Sequence, residues 1–103
     1  MIVVREVFHC KPGKVRPLVE KFKSMSKLME KGGAGKMRLL TDVSGSRYWT
    51  LVAEMEVESL GKFESMMAGE GMSDADNKQF EDLMKGYHEL VENGHREFFK
   101  LEA

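Results

Sequence analysis

The chain of 103 residues predicts an α+β fold in the order strand, helix, strand, strand, helix, strand. Three observations predict it. Apolar residues alternate with period two in the runs 2–10 and 48–57. They recur at spacings of three and four from Val15 and again from Leu60, and Gly, Pro and Ser punctuate the joins. The length has room for one domain, residues 1–103, around one hydrophobic core, because domains usually run to about 100 to 150 residues. With 42% hydrophobic and 32% charged residues, the composition suits a globular protein and excludes a disordered chain.

The first run, from Ile2 to Cys10, is rich in β-branched residues and is stopped by Pro12-Gly13, which marks a strand. Ile2, Val4, Phe8 and Cys10 share one face, broken only by Glu6, while Val3 and Val7 alternate with Arg5 and His9 on the other. Val15, Leu18, Phe22, Met25 and Met29 then follow the helical period, with Val19 widening the stripe. Pro17 is tolerated there because it falls near the helix start. Gly32-Gly33 ends that helix, and a second strand spans about 36–43.

Ser44-Gly45-Ser46 marks a hairpin turn into the third strand. From 48 to 57, Trp49, Leu51, Ala53, Met55 and Val57 form an unbroken apolar face, and Tyr48, Thr50, Val52, Glu54 and Glu56 a mixed one. Ser59 is the expected cap of a second helical segment carrying Leu60, Phe63, Met66 and Met67, which Gly69-Glu70-Gly71 interrupts. Ser73-Asp74-Ala75-Asp76 has the form of a capping box with Asp in place of the usual Glu. The helix it opens carries Phe80, Leu83, Met84, Tyr87, Leu90 and Val91 and is expected to close at Asn93-Gly94, before a last strand from His95 to Leu101.

This order is a ferredoxin-like βαββαβ sandwich, a four-stranded antiparallel sheet with helices on one face only. Val3, Val7, Tyr48, Val52 and one of Phe98 or Phe99 then fall on the uncovered face with Arg5, Glu54 and Glu56. Apolar surface of that extent marks an interface, so a homodimer joined through the open sheet is expected. Burying about 400 Å² of apolar area per protomer is worth about 10 kcal/mol before the costs of association.

The net charge of -1 supplies no field to attract nucleic acid or an anionic membrane, and neither is expected as a partner. Val4 is followed at once by Arg5 and Glu6, so the first residues form no signal or transmembrane segment, and the single cysteine excludes an internal disulfide; a cytoplasmic protein is expected.

Lys11-Pro12-Gly13-Lys14 opening a helix, a hairpin into the run 48–57, and then Glu58-Ser59-Leu60 with Phe63 resemble the dimeric α+β barrel superfamily. That superfamily includes antibiotic-biosynthesis monooxygenases, NIPSNAP-like proteins and many small bacterial proteins. The resemblance implies a sheet-to-sheet dimer and, in some members, a substrate in the cleft between sheet and helices. Monooxygenase-like members commonly carry an aromatic followed three residues later by His, whereas here Phe63 is followed by Met66. A thioether does not shuttle protons. Heme-degrading members combine a first-strand Asn, a Trp and a His; Trp49 is present, but the first strand has no Asn and His88 lies far along the chain.

His9, His88 and His95 have no metal-ligand spacing, so neither a metal nor a cofactor is expected. His88 falls at the edge of the predicted helix stripe, where it either makes one boundary hydrogen bond or serves as acid, base or ligand donor in the cleft. Arg5 and Glu54, on neighbouring strands and the same face, form an ion pair that sets register, or else Arg5 binds an anionic group on a small ligand. With Tyr48 and Trp49, these residues are the ligand-binding candidates; no catalytic set is readable. Cys10 and the nine methionines read as packing, the latter able to line an adaptable pocket. The functional expectation is a homodimer that binds a small hydrophobic molecule or serves in assembly. The alternative is a cofactor-independent monooxygenase-like enzyme acting on a small aromatic or polyketide-like compound.

Overall fold

Each β-branched run becomes a strand and each three-four apolar stripe a helix in the computed structural model, which describes residues 1–103. The elements are β1 (Ile2–Cys10), α1 (Val15–Lys31), β2 (Arg38–Thr41), β3 (Thr50–Val57), α2 (Leu60–Met67), α3 (Asp74–Met84), a 3-10 turn at Tyr87–Glu89 and β4 (Val91–Lys100). The sheet is antiparallel throughout, in the order β2-β3-β1-β4. This is the ferredoxin-like α+β arrangement, with the second helix split in two as the glycines at 69 and 71 predict.

The core follows from period matching. Leu18, Val19, Phe22 and Met25 of α1 bury against Cys10, Leu51 and Ala53 of the sheet. Val4, Met55 and Val57 form a second cluster with Phe63 of α2. Ser59 and Ser73 cap α2 and α3, each hydroxyl accepting from a backbone N–H at 3.1 Å. The second half of the expected capping box is replaced: the buried Asp76 carboxylate pairs with Lys31 of α1 at 3.2 Å, tying the ends of two helices together.

Three boundaries depart from expectation. β3 begins at Thr50, because Trp49 has φ of 58°, a left-handed backbone that breaks the period-two pattern. Trp49 is 43% exposed and Tyr48 86% exposed, both in the loop before the strand. β2 is shorter than expected, four residues only. The last helix does not reach Asn93-Gly94. It ends at Met84, since Gly86 adopts φ of 81° and redirects the chain, so His88, Leu90 and Val91 leave the helix and β4 starts at Val91. Gly94 lies inside that strand, where a Cβ would meet the Val7 carbonyl oxygen at 2.9 Å and the Phe8 ring at 3.2 Å.

No helix packs on the opposite face of the sheet. Register places Val3, Val7, Leu40, Val52 and Phe99 there, so Phe99 is the residue on the open side, and Phe98 faces the helices beside Phe63. The same face carries a row of alternating charge across all four strands, Arg38, Glu54, Arg5 and Glu97. Glu54 pairs with Arg38 and, at 3.2 Å, with Arg5. Next to it, His9 stands between Thr50 and His95.

Two outcomes follow from this packing. Leu18 and Leu51 are fully enclosed, and Leu18→Ala is expected to cost about 2 to 5 kcal/mol of stability in urea denaturation, through lost burial and the cavity left behind. Burial, and then Arg47 and His95, lower the His9 pKa below 6.5 against the opposing pull of Glu92. The unfolded chain takes up that proton near 6.5 while the folded chain resists it, so stability is unaffected above 6.5 and is lost as pH falls through the window beneath. Between about pH 7.5 and 5.5, His9→Gln is expected to show a smaller loss of denaturation midpoint than the native chain.

Candidate functional site

Strand alternation puts Glu6, between Val4 and Phe8, on the side of β1 that faces the helices, where every neighbour in the pattern is apolar. β1 pairs Glu6 with Ala53 on one side and Arg96 on the other. Ala53 is small and Arg96 lies on the edge strand, so the helices do not close down on this part of the sheet. A cavity of about 300 Å³ remains between them. Apart from Glu6, Gly69, Asn77 and Arg96, every residue lining it is hydrophobic.

The walls come from each layer. Phe8 contacts Phe22 of α1 at a ring distance of 5.2 Å and Tyr87 edge-on at 6.4 Å. Phe63 of α2 meets Phe98 edge-on at 5.4 Å and carries the Arg96 guanidinium 5.0 Å from its ring centre. All the methionines except Met1 line this space. Asn77 donates to the carbonyls of Gly69 and Met72 at 3.2 and 3.4 Å, pinning the connection between α2 and α3 at the cavity wall.

The polar centre is the pair of Glu6 and Arg96, whose Nε donates to a Glu6 carboxylate oxygen. The pair keeps contact with solvent, the Arg96 side chain being 40% and the Glu6 side chain 23% exposed. A second, shallower groove on the outer side shares Glu6, Phe8, Tyr87 and Arg96 with the cavity and adds His88, Glu92 and His95. The ion pair therefore belongs to both linings, at the boundary between the apolar cavity and the polar groove.

The residues singled out in the sequence divide. Arg5 and Glu54 are brought together, but on the open face of the sheet, away from the cavity; Arg5 Nε is close to Glu54 without being aligned for a hydrogen bond, and it has no other partner. Tyr48 and Trp49 lie in the loop before β3 and do not line the cavity. His88 is exposed on the 3-10 turn, stacked against Tyr87 with ring centres 4.0 Å apart, and faces the groove rather than the cavity. Burial, with Asp42 second, raises the Cys10 thiol pKa, which disfavours a nucleophilic thiolate. Glu6, Asn77 and Arg96 are the site residues that sequence reasoning missed. Glu6 had a signal, since it is the one charge on an otherwise apolar strand face; Arg96 had none until strand register put it opposite.

No protein-family model matches the chain, and no curated protein matches it. Solved structures do. An uncharacterised NIPSNAP-domain protein from Burkholderia xenovorans superposes with a TM-score of 0.78 at 13% identity, over 100% of this chain and 96% of that one. A structure described as an antibiotic biosynthesis monooxygenase matches with a TM-score of 0.72 at 12% identity over 100% of both chains. Protein SO0527 from Shewanella oneidensis matches with a TM-score of 0.65 at 22% identity, over 95% of this chain and 87% of that one. Likeness at these identities establishes the fold and not the activity. The chain has the ferredoxin-like α+β fold shared by these NIPSNAP-domain and monooxygenase structures.

Proposed function

We propose that the protein is a homodimeric binding module that holds a small, largely apolar molecule between its helices and sheet and associates through its open sheet face. The observation that carries the binding reading is the 300 Å³ cavity, apolar except at Asn77 and the pair of Glu6 and Arg96. That combination of hydrophobic walls and few convergent polar groups is the usual form of a ligand site. The dimer is supported by Leu40 and Phe99, 43% and 49% exposed, flanking Val3, Val7 and Val52 on a face no helix covers. The charged row on that face is electrically balanced, so a second copy approaches without net repulsion. No helix is long and apolar enough to cross a membrane. The one free, buried cysteine suits a cytoplasmic setting, which belongs to this proposal.

A second reading, a monooxygenase-like enzyme acting on a small aromatic or polyketide-like compound in the same cleft, is favoured by the shared fold and by His88 in the groove that meets the cavity. Against it, no histidine lines the cavity, and Met66 occupies the helix position where such enzymes commonly carry one. If this reading holds, His88→Ala abolishes turnover while the protein still binds the compound.

Naphthalene, an uncharged molecule small enough for the cavity, is expected to bind saturably by fluorescence titration, and Met66→Trp, which fills one wall, to weaken it about tenfold without lowering the melting temperature. Unsaturable partitioning, equal in the variant, rejects the cavity as a site. In sedimentation at micromolar concentration the native chain is expected to run as a dimer and Val7→Lys, a charge placed on the open face, as a monomer. A native chain that stays monomeric overturns the assembly claim.

A further inference from the structure

Resting on the cavity reading above, we infer that the bound molecule is a carboxylate amphiphile, with a flexible apolar body in the cavity and its carboxylate at the mouth on the terminal nitrogens of Arg96. The recognition element is a guanidinium fixed from two directions. Glu6 holds its Nε, and the Phe63 ring supports its face at 5.0 Å. Those contacts leave both terminal nitrogens without a protein hydrogen-bond partner. A planar fork oriented in this way and unfilled at its outer end matches a carboxylate through two parallel bonds; an alcohol makes one neutral bond, and an ammonium is repelled.

The position of Arg96 sets the orientation of the ligand. Arg96 belongs both to the apolar cavity and to the polar groove outside it, so a head group placed on it stays at the wet end while the body points inward. His88 lines the same groove and offers a further ring nitrogen to the head. The Glu6 carboxylate restricts the charge that fits. Glu6 already offsets the charge of Arg96, so each negative charge on the head adds repulsion, and a singly charged carboxylate meets less of it than a doubly charged phosphate.

The lining sets the body. Methionine side chains are unbranched and rotate easily, so a wall built from every methionine of the chain but the first conforms to a flexible chain better than to one rigid shape. The volume of about 300 Å³ equals that of roughly ten liquid water molecules, which is room for a body of about that many non-hydrogen atoms. Octanoate, whose body is a seven-carbon chain, fits within it and is a suitable probe.

Calorimetric titration of the full chain with octanoate and with octan-1-ol tests this. Octanoate is expected to bind at least about tenfold more tightly than octan-1-ol. Arg96→Met, which keeps the apolar stem, is expected to erase that preference while octan-1-ol still binds. Arg96→Lys, which keeps the charge and loses the fork, is expected to weaken octanoate about tenfold and leave octan-1-ol unchanged, a comparison that stands even if Arg96→Met does not fold. Equal affinity of the native chain for the acid and the alcohol overturns the carboxylate assignment and leaves the cavity reading intact. Absence of binding by octanoate, octan-1-ol and naphthalene overturns both.

Discussion

β1 is hydrogen-bonded along both of its edges, to β3 on one side and β4 on the other, and the rest of the molecule is arranged by that double pairing. Adjacent residues of a strand point to opposite faces, so Arg5 and Glu6 send one charge to each side of the sheet. Arg5 enters the row with Arg38, Glu54 and Glu97 on the open face, and Glu6 meets Arg96 beneath the helices. A slip of one residue would exchange the two faces, placing Arg5 against the helices and Val4 and Phe8 outside. Apolar pattern and charge pairing both oppose it.

The two charged groups do different work. The row on the open face is partly solvated, with the Arg5 and Glu97 side chains each 37% exposed, so its net contribution to stability is small and its effect is to select one alignment of strands. Glu6 and Arg96, 23% and 40% exposed, are solvated to a similar degree, but they lie on the other side of the sheet among apolar side chains. A polar exception on an otherwise apolar sheet face is where a fold departs from stability alone, and here it supplies the only charges that line the cavity.

Much of the architecture was legible in local pattern because local physics sets it. The stripe from Val15 to Met29, the Ser59 and Ser73 caps, the glycine break between α2 and α3 and the pairing of Arg5 with Glu54 all rest on periodicity or on strand adjacency. The misreadings have specific causes. The helical period of Phe80, Leu83, Met84, Tyr87 and Leu90 continues in the sequence past the true helix end, because Tyr87 and Leu90 still pack on the core from a 3-10 turn and the residue that closes it, while Gly86 has already ended the helix. Trp49 continues the apolar alternation of β3, but its left-handed backbone is imposed by the loop, where the Trp49 carbonyl accepts from Cys10 N–H and the Asp42 carboxylate from Thr50 N–H.

The sequence by itself determined the order of elements, the single layer of helices and the apolar character of both sheet faces, since these depend on which residue types recur at periods of two and of three to four. Only the tertiary structure decided where the site lies. Glu6 and Arg96 are 90 residues apart, and nothing local to either specifies the other. Their meeting depends on the register between β1 and β4, on the small Ala53 beside Glu6, and on helices that leave space above this part of the sheet. Register and residual space are properties of the packed chain, because they arise from the sum of distant contacts and not from the preference of any one segment.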